Sequence, residues 1–354
     1  GVQAGPEEGE LLAERRVLAV TLVSATDPRD ARRTAALLAG RPESRIDLEV
    51  DPPGADGPAL AEELHRRLAA DADDGHRGHT VVALDGQADP LEIGLVLEHL
   101  CAQRHPADTR IAILDVVAVT STEEILRVLC GGAGPSFDSA ERLAARLEFS
   151  SLIALAEPRS ESDPERTALV RDLLRALAPT ADLLPAGELP AAPRRLHPRR
   201  AHAIASSMGW QCALNGTSRG RASGTTVEEF VFRDPLPFHP GRLSTAVHGE
   251  LVAEKVGRIL RSRGLVRLAT RADRVGSWSV AGDVLTLDPT SLLSWDEDAP
   301  LGQELAFFGT GLDTGRLTAV LQSCLLTPEE LLAGPAAWAE YADPFPRWVD
   351  EHRN

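Results

Sequence analysis

The sequence predicts an α/β protein: a parallel-sheet domain covered by helices, then a smaller α+β domain built on a mainly antiparallel sheet. Three observations carry that expectation. Apolar strand-like runs alternate with helical periodicity from residue 16 to residue 177. The alternation stops after Leu184, in a stretch rich in Pro, Arg, Ser and Gly. From Thr226 short strand-like runs follow one another with tight turns between several of them. Strand–helix alternation demands a parallel sheet with helical crossovers, whereas closely spaced strands can pair antiparallel through short turns. At 354 residues the chain is long enough for two separate cores.

Taken in order, Arg16–Ser24 (RVLAVTLVS) reads as a buried strand. A helix should follow over 28–39, with Asp27 as N-cap and Pro28 at the first helical position. Ile46–Val50 is a short strand, Pro58–Ala70 a helix, Thr80–Leu84 a strand and Pro90–Gln103 a helix. Arg110–Val119 is the strongest strand, followed by helices over 122–130 and 138–147. Ser151–Ala156 and Pro164–Leu177 close the alternation as strand and helix. In the second part VEEFVFR, RGLVRLAT, VGSWSV, DVLTLD and QELAFFG are strand candidates, with helices over 241–261 and 313–323. The expected division is therefore 10–185, a basic linker 186–225, a second domain 226–330 and a tail 331–354. All five Trp lie between 210 and 348, so the second part holds most of the large aromatic area.

Charge is unevenly distributed. Residues 1–188 contain 19 Arg and 34 Asp and Glu, a balance of −15, while residues 189–354 contain 18 Lys and Arg against 19 acids, a balance of −1. Within the latter, 189–227 holds Arg194, Arg195, Arg199, Arg200, Arg219 and Arg221 and no acid. Such a segment is either a solvated loop or a surface for an anionic partner, of which RNA suits arginine forks best. A second group, Arg258, Arg261, Arg263, Arg267, Arg271 and Arg274, accompanies the first hairpin. Arg263, Arg267 and Arg271, four apart, should share one sheet face and either pair with the chain's own acids or offer a second basic surface. No apolar run approaches the roughly 18 residues of a membrane span, and the first ten residues lack the basic and apolar regions of a signal peptide. The four cysteines are scattered without a CxxC pair, which suits buried thiols in a reducing cytoplasm. No DNA or membrane partner is expected.

Lys255 is the single lysine. A P-loop hydrolase needs a lysine ammonium on the β- and γ-phosphates, and residues 1–254 offer none. This matters because three segments carry a specific resemblance: Phe230–Leu243 (FVFRDPLPFHPGRL), Ser262–Trp278 (SRGLVRLATRADRVGSW) and Gln303–Glu330 (QELAFFGTGLDTGRLTAVLQSCLLTPEE). Over about 100 residues, in order, spacing and content, they resemble the C-terminal domain of the CobW-type metallochaperone GTPases. Ala337–Trp348 (AWAEYADPFPRW) is similar to an actinobacterial branch of that family named for recruiting a ribosome hibernation factor under zinc starvation. In the first half, Gly86–Pro90 (GQADP) resembles the family's GLADP segment.

The resemblance implies a degenerate P-loop GTPase-like domain followed by a CobW C-terminal domain. It also exposes what is missing. Where the family's first strand enters a glycine-rich G-x-x-x-x-G-K-S/T loop, this chain reads Ala25-Thr26-Asp27-Pro28-Arg29-Asp30-Ala31-Arg32. Glycine and lysine are absent there, the aspartates repel phosphate and Pro28 removes an amide donor. Ala156-Glu157-Pro158-Arg159 stands at the guanine-reading NKxD position, and Ala83 at the switch glutamate. The GCxCC metal motif is replaced by DPPGADGPALAEELHRRL. The expectation is a pseudo-GTPase without cofactor, GTP and Mg²⁺ being disfavoured, whose partners by resemblance are the small ribosomal subunit and a hibernation factor. The alternative is a GTP-dependent metallochaperone that binds nucleotide by atypical means, with Arg29 or Arg32 replacing the lysine. Asp73, Asp74, His76 and His79 form a polar cluster that reads as a loop rather than a metal site. Cys324 reads as a core residue and His239 as a hydrogen-bonding turn residue.

Overall fold

The computed structural model describes residues 18–48, 57–73, 78–104, 111–131, 137–156, 158, 163–189, 199–217 and 225–349. The chain divides into two compact units: residues 1–126, 142–170 and 177–208 in one, and residues 127–141, 171–176 and 209–354 in the other.

The first sheet contains β1 (Leu18–Ala25), β2 (Arg45–Leu48), β3 (Gly78–Leu84), β4 (Ile111–Ser121), β5 (Leu152–Ala156) and β6 (Asp182–Pro185) in the order β2-β3-β1-β4-β5-β6. Every neighbouring pair is parallel. The central strands are buried along almost their whole length, as a sheet covered on both faces requires. The crossovers are α1 (Pro28–Ala39), α2 (Gly57–Asp73), α3 (Pro90–Arg104), α4 (Thr122–Val128), α5 (Phe137–Glu148) and α6 (Pro164–Leu177). In α1, Ala31, Ala35 and Leu38 form the buried stripe, and Gly40 ends the helix at φ 67°, where a side chain would be strained.

Residues 199–217, expected to lie in a linker, hold two short helices, α7 (Ala201–Ser206) and α8 (Gly209–Leu214). The α7 segment is tied to the first unit: Arg199 N donates to Ile113 O at 2.7 Å, and Ala201 N donates to the Glu98 carboxylate at 2.6 Å.

The second sheet is antiparallel, β7 (Glu228–Asp234), β8 (Arg258–Val266), β9 (Arg274–Ala281), β10 (Val284–Leu293) and β11 (Gln303–Thr310), in the order β10-β9-β8-β11-β7. Its core gathers Phe232, Phe238, Trp278, Leu305 and Phe307, all buried, with Leu317 and Leu321 of α11 (Thr314–Ser323). The buried Trp278 indole donates to Ser262 Oγ at 2.8 Å, and Ser262 donates to Ala306 O at 2.8 Å. This chain of bonds satisfies the polar edge of the largest core ring.

The single helix expected over 241–261 is corrected. It is two helices, α9 (Pro240–Gly249) and α10 (Ala253–Val256), and β8 starts at Arg258. The switch is made at Gly257, with φ 87°, where a Cβ would lie 2.1 Å from Gly311 O. The segment after α11 carries α12 (Pro328–Ala333) and α13 (Pro335–Trp338). Phe345 and Trp348 pack on the second core, and Trp348 donates to Leu287 O at 3.0 Å.

Candidate functional site

In the first sheet the chain passes from β1 outward to β2 and β3 on one side and to β4, β5 and β6 on the other. Open α/β sheets bind ligands outside the carboxyl ends of the strands at such a reversal. The groups that meet there are Thr26 and Asp27 after β1, Gly86 after β3, Glu124 after β4 and Arg146 from α5.

Only Thr26 and Asp27 link β1 to α1. A loop of two residues is too short to wrap a phosphate, which needs several successive amides facing inward. The α1 terminus is occupied by the chain itself. The Asp27 carboxylate accepts from Arg29 N at 2.9 Å and forms an ion pair with the Arg29 guanidinium at 2.9 Å. The side-chain bond from Arg29 holds the Asp27 carboxyl below its ordinary range.

Behind this cap lies a polar network. Thr26 Oγ1 donates to Glu124 Oε1, and Thr120 donates to Glu124 Oε2 at 2.9 Å. Arg146, 4% exposed, donates to Thr26 Oγ1 at 2.5 Å and to Gly86 O at 2.9 Å. Burial lowers the Arg146 pKa, opposed chiefly by the Glu124 carboxylate. Gly86 is needed for this approach, since a Cβ there would lie 2.5 Å from Thr26 O. A guanidinium engaged with two acceptors and neutralised by a neighbouring carboxylate has little left to offer a triphosphate. These residues do not fit a nucleotide phosphate cradle.

The GQADP segment forms turns and a helix start: Asp85 accepts from Gln87 N at 3.0 Å and Asp89 accepts from Leu91 N at 3.0 Å, opening α3. Ala83 is buried in β3. Glu157 and Arg159 lie outside the described residues, as do Asp74 and His76. His79 is in β3, its Nε2 2.6 Å from Thr21 Oγ1. Among the described residues no three His, Cys, Asp or Glu side chains are placed to hold a metal ion. Cys324 is buried, and His239 caps α9, its Nδ1 accepting from Arg242 N at 3.2 Å.

Of the expected basic residues, Arg194, Arg195, Arg219 and Arg221 lie outside the described residues. Arg199 is half-buried, and Arg200 is exposed at the start of α7. Arg263, Arg267 and Arg271 do not share a sheet face, because β8 ends at Val266. Leu268 turns inward, and residues 269–271 form a 3₁₀ turn. Each has its own intramolecular partner. Arg263 lies 5.1 Å from the Trp210 ring centre. Arg267 donates to the carbonyls of Ser294, at 3.2 Å, and Pro300, at 2.5 Å. Arg271 binds Asp343 through Nε at 2.9 Å and Nη2 at 3.1 Å, and donates to Phe345 O at 3.0 Å. Arg261, 1% exposed, pairs at 2.6 Å with Glu141 of the same unit.

Sequence reasoning missed the Thr26–Glu124–Arg146 network. The partners are 98 and 120 positions apart, and no local motif announces a pairing of that kind.

Residues 227–325 match the family model for the cobalamin synthesis protein cobW C-terminal domain, which covers the antiparallel unit from β7 to the end of α11. A curated relative, zinc-regulated GTPase metalloprotein activator 1 of Dictyostelium discoideum, is 28% identical over 159 residues, 39% of this chain. The match spans 33% of that relative's length. Among solved structures there is similarity to the Zn(II)-bound YjiA GTPase from E. coli, with a TM-score of 0.36 and 13% identity over 88% of this chain and 99% of that one. No helix of the described residues is long and apolar enough to cross a membrane.

Proposed function

We propose that the chain is a non-catalytic, pseudo-GTPase binding protein of the CobW type. It recruits a ribosome hibernation factor to the small ribosomal subunit under zinc limitation, in the cytoplasm and without a nucleotide cofactor. The observation that carries the first part is the two-residue β1–α1 link, capped by Asp27 and backed by Arg146 bound to Thr26 and Gly86. Conversion to a phosphate cradle would require a longer loop and the displacement of a buried guanidinium from its acceptors. The ribosomal part rests on resemblance in the C-terminal segments, joined by the uneven charge of the chain.

A second reading is favoured by the name of the curated relative: a GTP-dependent metallochaperone with atypical nucleotide binding. The two readings separate in one pair of measurements. Calorimetry with GTP-Mg²⁺ is expected to show no heat of binding, and micromolar affinity lost on Arg29→Ala or Arg32→Ala would establish the second reading instead. Co-sedimentation with small ribosomal subunits is expected to weaken as salt rises, because phosphate contacts release counterions. Absent or salt-insensitive co-sedimentation would remove the RNA contact.

A further inference from the structure

A cavity of about 570 Å³ opens in the second unit, between the 3₁₀ turn after β8 and residues 339–348. Its volume is in the range of small-ligand sites. Three guanidinium groups line it: Arg271, Arg274 and Arg347. Arg271 is fixed by Asp343 and lies 4.6 Å from the Trp348 ring centre, yet its Nη1 is buried without a hydrogen-bond partner among the described residues. A buried donor left unmatched costs free energy that an incoming oxygen would recover. Tyr341, Phe345 and Trp348 add ring surface to the same walls.

We propose that this cavity seats one nucleotide unit of single-stranded RNA, its phosphodiester on the guanidinium groups and its base against the rings. Guanidinium forks match phosphate oxygens bidentately, and bases bind flat apolar or guanidinium faces with little regard to sequence. The carboxylates argue for the form of the anion. Asp343 neutralises Arg271, and Asp273 also lines the cavity. The remaining positive charge matches the single charge of a phosphodiester, whereas the further charges of a polyphosphate would be left uncompensated beside the two carboxylates. The inference rests on the reading of the chain as an RNA-contacting protein and deepens it. The RNA-binding surface becomes a cavity at the tail, with Arg274 and Arg347 added and Arg271 in a fixed pose, in place of a sheet face.

The test is fluorescence anisotropy with a labelled uridine oligonucleotide at several salt concentrations, on the full chain. Arg347 is exposed, so Arg347→Ala should fold normally, and the Arg274→Ala/Arg347→Ala double variant extends the loss. The double variant is expected to weaken binding by at least about tenfold and to lower the log–log salt slope by about 0.7, the share of one single-strand phosphate. Unchanged affinity and slope in the double variant would overturn the proposal. So would competition by polyglutamate as effective as by unlabelled oligonucleotide, which would make the cavity an acidic-peptide site. Co-sedimentation with small ribosomal subunits keeps the two ideas apart. Retained subunit binding without oligonucleotide binding removes the cavity proposal alone. Oligonucleotide binding lost in the double variant, with no subunit binding in the native chain, removes the ribosomal reading alone.

Discussion

Arg146 shows how much can hang on one side chain. Its guanidinium is buried, bonded to Thr26 and Gly86, and balanced by Glu124. Removing the guanidinium leaves the Thr26 and Gly86 acceptors unmatched and the half-buried Glu124 carboxylate without its neighbouring cation, at a cost of about 1–3 kcal/mol. Arg146→Met should therefore lower the urea midpoint of the first unit by a large margin. The Arg146→Met/Glu124→Leu pair should recover much of that loss, since both charges then leave together. Equal destabilisation by the single and double variants would show that Arg146 and Glu124 are energetically independent. The same logic applies to Arg261, 1% exposed against Glu141: Glu141→Ala should cost about 3 kcal/mol and be read in tryptophan fluorescence, because all five Trp belong to the second unit.

At the scale of elements, the turn after β3 brings backbone against backbone at the sheet's carboxyl edge. A Gly86→Ala methyl would press on the Thr26 carbonyl, and backbone cannot yield as a side chain would, so destabilisation of about 1–3 kcal/mol is expected in chemical denaturation. An unchanged midpoint would mean that the β1–α1 link moves freely. This approach also marks the limit of what the chain discloses in one dimension. The parallel strands were legible because each is a short apolar run between helices of clear period, and α1 announced its start with Asp27 and Pro28. β6 was not, since Asp182–Pro185 is four residues of mixed character ending in proline. The missing phosphate loop could be read from Ala25–Arg32, but what replaced it could not, because Arg146 reaches Thr26 from 120 positions away. In the second unit the break at Gly257 depends on its approach to Gly311 O, a tertiary fact without a local signal. Arg267 was legible as a cation and not as a clamp. Its bonds to Ser294 O and Pro300 O pin the loop that carries the exposed Trp295 and Leu301. Arg267→Ala should raise amide exchange across 294–302 with little change in overall stability.

For the whole molecule, two units with separate cores and different titrating groups should unfold as separable transitions. His79 sits in the first sheet, and burial lowers its pKa below the ordinary 6.5, with the Asp115 charge only partly opposing. The unfolded chain then binds a proton that the folded unit resists, so stability is full above about pH 6.5 and falls as pH drops below it. In the second unit Glu330 bonds Arg242 at 2.6 Å, and that bond brings its pKa from 4.5 to about 2. Its contribution is present above pH 4.5 and is lost only as pH falls towards 2. His239 is also lowered, by burial and then Arg242, while Glu330 at 3.9 Å opposes the shift, so the second unit's response near pH 6 should be the smaller. The probes divide in the same way: far-UV dichroism sees both units and tryptophan fluorescence sees the second. Between pH 7.5 and 5.5 the dichroism midpoint on heating should fall more than the fluorescence midpoint, and His79→Gln should remove the difference. Midpoints that move together in the native chain would mean that the two units unfold as one, whatever their separate cores suggest.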